Sequence, residues 1–118
     1  MGGQRIFPGS PILEDVNSFS QAIIAQFRDG MDRLNHEREL TYEQQQIVDD
    51  LPPNSHLVQE YTALNIASQV LWEQALDKQQ HHNLGGDGGF YTTEQLGQRL
   101  NVAANRWQRF KRELNEQA

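Results

Sequence analysis

The stretch His56–Gln80, HLVQEYTALNIASQVLWEQALDKQQ, decides the fold class. It has no Pro or Gly over 25 residues, and its apolar and small positions Leu57, Tyr61, Leu64, Ser68, Leu71 and Ala75 alternate in spacings of four and three. That spacing is the repeat of one helix face, close to 3.5 residues per turn. Ile66 and Val70 lie beside the seam and broaden it, so the segment reads as a helix packed in a bundle or as one strand of a coiled coil. On either reading the seam residues Leu57, Tyr61, Leu64 and Leu71 are the candidates for self-association or for a partner.

Upstream, Pro52 and Pro53 separate this helix from a shorter one. The first Pro restricts the residue before it, and neither can donate a helical hydrogen bond. Asn54 or Ser55 can cap the longer helix. The shorter helix should run from about Thr41 to Leu51, because Thr41 and Gln44 have the spacing of a capping box, in which hydroxyl and amide satisfy each other's backbone N–H. Before it, Val16, Phe19, Ile23, Phe27, Met31 and Leu34 recur every three or four residues, predicting a first helix from 16 to about Glu39, weakened at Gly30. Brief connections favour adjacent antiparallel neighbours, so helices one and three should pair across the second. Residues 1–15 hold three Gly and two Pro and read as an arm.

Downstream, Asn83–Gly89 (NLGGDGG) places four glycines in seven residues and reads as a hinge over 83–90. The composition changes across it. After residue 90, Arg99, Arg106, Arg109, Lys111 and Arg112 stand against Glu94, Glu113 and Glu116, a net charge of +2 that leaves −8 on the residues before it. Positive charge is therefore confined to one element of an acidic protein.

That element reads TEQLGQRLNVAANRWQRFKR from Thr93 to Arg112. Thr92 and Gln95 form a second capping box, Asn101 can take the left-handed conformation that ends a helix, and Val102 is placed to plug a turn. A further helix would start at Ala103 or Ala104 with Trp107, Phe110 and Leu114 inward. The stretch resembles a helix-turn-helix DNA-binding motif, with Gly97 where two helices approach and Leu96, Leu100, Val102 and Trp107 as its apolar positions. The resemblance implies a second helix whose Asn105, Gln108 and Arg109 read bases while Arg106, Lys111 and Arg112 contact phosphates. The same residues also read as a helical hairpin packed on the bundle, with its arginines in solvent.

The remaining composition mostly excludes. With 118 residues and 36% apolar content, the chain has one thin core, or one completed by a partner. A mean hydropathy of −0.76, no apolar run near the roughly 18 residues of a membrane span, and no signal-peptide pattern predict a soluble, cytoplasmic protein. Zero cysteines exclude thiol chemistry and cysteine-ligated metals. Asn83–Glu94 overlays a calcium-loop frame, with Asp87, Gly88, Phe90 and Glu94 in register, but Asn83 and Gly85 stand where stronger oxygen ligands are expected. His81 and His82 are adjacent and point apart on a helix, and His36 and His56 have no obvious ligand neighbours. Asp49–Asp50 and Glu37 with Glu39 read as solvated helix ends.

The expectation is therefore an all-α chain: an arm (1–15), a helical bundle (16–82), a hinge (83–90) and a helix-turn-helix-like module (91–118). No catalytic, cofactor-binding or metal residues are expected. The expected function is a non-enzymatic regulator that binds duplex DNA and self-associates through its N-terminal helices. The alternative is an adaptor, inhibitor or assembly subunit that binds protein alone.

Overall fold

A computed structural model describes residues 10–80 and 91–117, with side chains described from residue 21 onward. The described residues form four helices and no strand: α1 (Ser10–Glu37), α2 (Tyr42–Asp50), α3 (His56–Gln80) and α4 (Thr93–Glu116). The all-α class follows from the sequence periodicities. The hinge at 83–90, the paired His81 and His82 and most of the calcium-loop frame lie outside the described residues.

Both capping boxes form. Gln44 N donates to Thr41 Oγ1 at 3.1 Å and Thr41 N to Gln44 Oε1 at 2.9 Å; Thr92 and Gln95 repeat the exchange at 3.1 and 3.0 Å. Ser55 caps α3, its Oγ accepting from Val58 N at 3.3 Å. The first helix starts earlier than expected: Ser10–Asp15, read from the sequence as part of an arm, already belong to α1. Pro11 falls in the first turn, where a missing N–H leaves no hydrogen bond unmade.

The largest departure is α4. The expected turn at Asn101 and Val102 does not form, and Thr93–Glu116 is one continuous helix. Its buried residues Leu96, Leu100, Ala103, Trp107, Phe110 and Leu114 follow one another at spacings of four and three straight through Asn101. Asn101 stays helical because its side chain is used sideways. Nδ2 donates to the Gly97 carbonyl at 2.8 Å and to the Gln26 carbonyl of α1 at 3.3 Å, and Oδ1 accepts from Arg33 at 2.9 Å. Val102 plugs nothing; it is 51% exposed.

α4 is also the centre of the protein rather than a separate module. It packs extensively on α1 and on α3, whereas α1 and α3 touch each other only slightly. Those two helices do run in opposite directions, as their short connection requires, but α4 lies against both. Rising residue numbers pair with rising numbers from Arg33–Asn105 to Glu37–Gln108, so α1 and α4 are parallel. Tyr61 against Phe110 and Ser68 against Trp107 make α3 and α4 antiparallel. Close approach of α4 to α1 is permitted by two glycines. A Cβ on Gly30 would sit 2.9 Å from Leu100 Cβ, and one on Gly97 would sit 3.2 Å from the Phe27 backbone. One core results, with Phe27, Leu34, Leu64, Leu96, Trp107 and Phe110 among its members. Each such side chain contributes about 1.5–3 kcal/mol when fully buried.

Candidate docking surface on helices 3 and 4

The core accounts for the seam residues expected to serve a second chain. Leu57 and Leu64 are buried, and Tyr61 and Leu71 are half-buried against the same cluster. Tyr61 stacks on Phe110 at 5.9 Å and meets Trp107 edge-on at 5.9 Å. α4 therefore covers Leu57 and Leu64 within one chain, whereas Tyr61 and Leu71 keep part of their surface exposed.

The six residues expected to contact DNA divide by orientation. Asn105, Gln108 and Lys111 face α1: Asn105 Oδ1 accepts from Arg33 Nη2 at 2.6 Å, Gln108 Nε2 donates to Glu37 Oε2 at 2.7 Å, and Lys111 Nζ lies 3.2 Å from Glu37 Oε1. Burial pushes the Glu37 carboxyl toward a higher pKa, but the hydrogen bonds from Gln108 and Lys111 and the charges of Lys111 and His36 outweigh it, and the group titrates below its ordinary value. Glu37 is thus an interhelical anchor, not a solvated helix end. Arg106, Arg109 and Arg112 are exposed, and Arg99 joins them, stacked over the Tyr91 ring at 4.2 Å. Asn105 and Gln108 each have one polar atom engaged by α1, and the arginines stand on a single helix flanked by two others. The two-helix frame that would present a recognition helix is absent from residues 93–112, because α4 is continuous there.

Beside these arginines lies a groove of about 440 Å³ between α3 and α4. Its floor includes Ala67, Val70, Leu71 and Val102, and Arg99 and Arg106 form one edge. On the other side of Val70 a shallower depression of about 390 Å³ is lined by Ile66, Gln69 and Arg38. Ile66 is 62% exposed and Val70 49%. Together the two depressions make a continuous apolar strip along α3, with arginine on both flanks. Arg38 Nη2 donates to Gln69 Oε1 at 3.3 Å, and Gln69 in turn donates to Glu73 at 3.0 Å.

Ile66 and Val70 were visible in the sequence as apolar neighbours of the α3 seam. With Ala63 and Ala67 they form a second stripe at spacings of three and four, and that signal separates them from the core face. A larger depression of about 660 Å³ near the end of α1 is lined by groups of both signs, among them Glu37, Glu39, Lys111 and Arg112, and its central pair is already matched. No described helix is long and apolar enough to cross a membrane. No protein-family model matches the chain, and no curated protein or solved structure shows significant similarity to it.

Proposed function

We propose that the protein is a non-enzymatic docking module that holds an acidic, amphipathic helix of a partner protein along the α3–α4 groove. The observation that carries this reading is the exposed strip of Ile66, Val70 and Val102 framed by Arg38, Arg99 and Arg106. Contiguous exposed apolar surface of this kind marks interaction sites, and grooves between helices accept an amphipathic helix by its apolar face. Arginines on both flanks favour a ligand helix whose polar face is acidic and oppose a basic one. Among the described residues the strip is also an apolar surface that a second copy of the chain could use, since Leu57 and Leu64 are buried in the core. Duplex DNA is the competing ligand, and the exposed Arg106, Arg109 and Arg112 speak for it.

Fluorescence anisotropy separates the two. A labelled synthetic acidic amphipathic peptide, the same peptide with its acids replaced by lysine, and a duplex DNA are titrated with the full chain over a salt series. The proposal expects binding of the acidic peptide, at least about tenfold weaker binding of the lysine peptide, and loss of affinity in Val70→Asp and in Arg99→Glu/Arg106→Glu. Equal affinity for both peptides, or none for either, overturns it. Salt-sensitive duplex binding that vanishes in the variant carrying Arg106→Ala, Arg109→Ala and Arg112→Ala would instead support the DNA reading.

A further inference from the structure

The antiparallel packing of α3 on α4 brings the start of one helix beside the end of the other. His56 opens α3, Glu60 lies one turn later on the same face, and Glu113 comes from the last turns of α4. One ligand atom from each, a ring nitrogen of His56 and a carboxylate oxygen of each glutamate, lies within 4.8 Å of the other two. His56 Nε2 and Glu60 Oε1 are 3.7 Å apart.

Two further observations point to a cation between them. Glu60 Oε1 is shut off from solvent and accepts no hydrogen bond. His56 Nε2, 3.7 Å away, is too far for a hydrogen bond, so this buried acceptor loses its water for at most a long ion pair, which is unfavourable unless a further positive charge is supplied. The neighbouring depression of about 480 Å³ is lined by Ser55, His56, Glu113 and Glu116 among others, and by no Lys or Arg. The start of α3 and the end of α4 meet here, so the positive end of one helix dipole offsets the negative end of the other, and the carboxylates themselves supply the attraction for a cation.

We propose that His56, Glu60 and Glu113 bind one divalent transition-metal ion. Zinc is the best match, because it accepts mixed imidazole and carboxylate ligands in a tetrahedral set, whereas calcium and magnesium prefer oxygen alone. Small rotations of the three side chains bring their atoms to the roughly 2.0–2.2 Å that zinc requires. Water entering from the depression completes the coordination. The ion would tie the first turn of α3 to the last turns of α4, across the end of the bundle that α2 also closes.

The test uses the full chain and cobalt(II), whose visible absorption reports coordination directly. Saturable binding of one equivalent, displacement by zinc, and a zinc-dependent rise in Tm are expected. His56→Ala and Glu113→Gln should each weaken binding at least about tenfold, no less than the loss of a group that merely supports a metal ligand. His56 is exposed and Glu113 half-buried, both outside the core, so a thermal melt without metal should match the parent. The double variant His81→Ala/His82→Ala should bind as the parent does. Absence of saturable cobalt binding, binding that survives His56→Ala and Glu113→Gln together, or binding lost in the His81→Ala/His82→Ala variant overturns the proposal.

Discussion

The indole Nε1 of Trp107 donates to Ser68 Oγ at 2.8 Å, and both side chains are completely withdrawn from solvent. Ser68 sits in the middle of the α3 seam, where every other residue is apolar or aromatic. Its hydroxyl is what allows the largest core side chain to face α3 with its polar edge inward.

Ser68→Ala should therefore destabilise the fold although it makes the core more apolar. The orphaned indole N–H costs about 1–3 kcal/mol, and chemical denaturation read by Trp fluorescence measures it. Ser68→Ala combined with Trp107→Phe should lose less than the two single variants added together, because the second change removes the orphan. Strict additivity would mean that the hydrogen bond contributes nothing.

Substituting Gly30 sets two effects against each other. Alanine improves helix propensity by about 1 kcal/mol, but a Cβ here would lie 2.9 Å from both Leu100 Cβ and Asn101 Nδ2 and 3.2 Å from the Gly97 carbonyl. Overpacking of this kind costs about 1–3 kcal/mol, so Gly30→Ala should be destabilising overall. Gly97→Ala, with its nearest contacts at 3.2 Å, should be milder. A stabilising Gly30→Ala would show that α1 and α4 do not approach this closely.

Glu37 makes stability depend on pH in a defined direction. Its pKa is lowered in the folded state, since burial, which raises it, is outweighed by Gln108, Lys111 and His36. A lowered carboxylate contributes stability that is fully present above its unfolded pKa and is lost as pH falls through the folded one. Unfolding measured from neutral pH down into the acid range should show this loss in the parent and a smaller one in Glu37→Gln. The same variant should be less stable at neutral pH, where Lys111 loses its ion-pair partner.

Asn101→Gly distinguishes a continuous α4 from a broken one. At a left-handed turn position the change would be neutral or stabilising. Within a helix it costs about 1 kcal/mol in backbone freedom, to which the lost contacts with Arg33 and Gln26 add. Thermal melts followed by circular dichroism should show the lower Tm.

Much of the local structure is legible from the residues alone. The pairs Thr41 with Gln44 and Thr92 with Gln95 mark two helix starts, Pro52 and Pro53 mark a stop, and the repeat from Leu57 to Ala75 marks the buried face of α3. These features act over one or two turns, so neighbouring residues suffice to express them. The candidate surface is half legible: Ile66 and Val70 show as apolar, but their exposure does not. Nor does the cluster around His56 show, beyond its four-residue spacing to Glu60, because Glu113 comes from another helix.

Sequence alone determined that the chain is helical, where most of its helices begin and end, and that positive charge concentrates near the C-terminus. Tertiary structure decided what covers each apolar face and whether Asn101 ends a helix. Periodicity identifies a face that must be buried but not the element that buries it, and here α4, rather than α1 or a second chain, supplies the cover. Asn101 is locally competent for either conformation. Arg33 and Gln26, 68 and 75 positions away, use its side chain across the helix interface and keep α4 continuous. The same interface turns Asn105, Gln108 and Lys111 toward α1 and leaves the arginines outside.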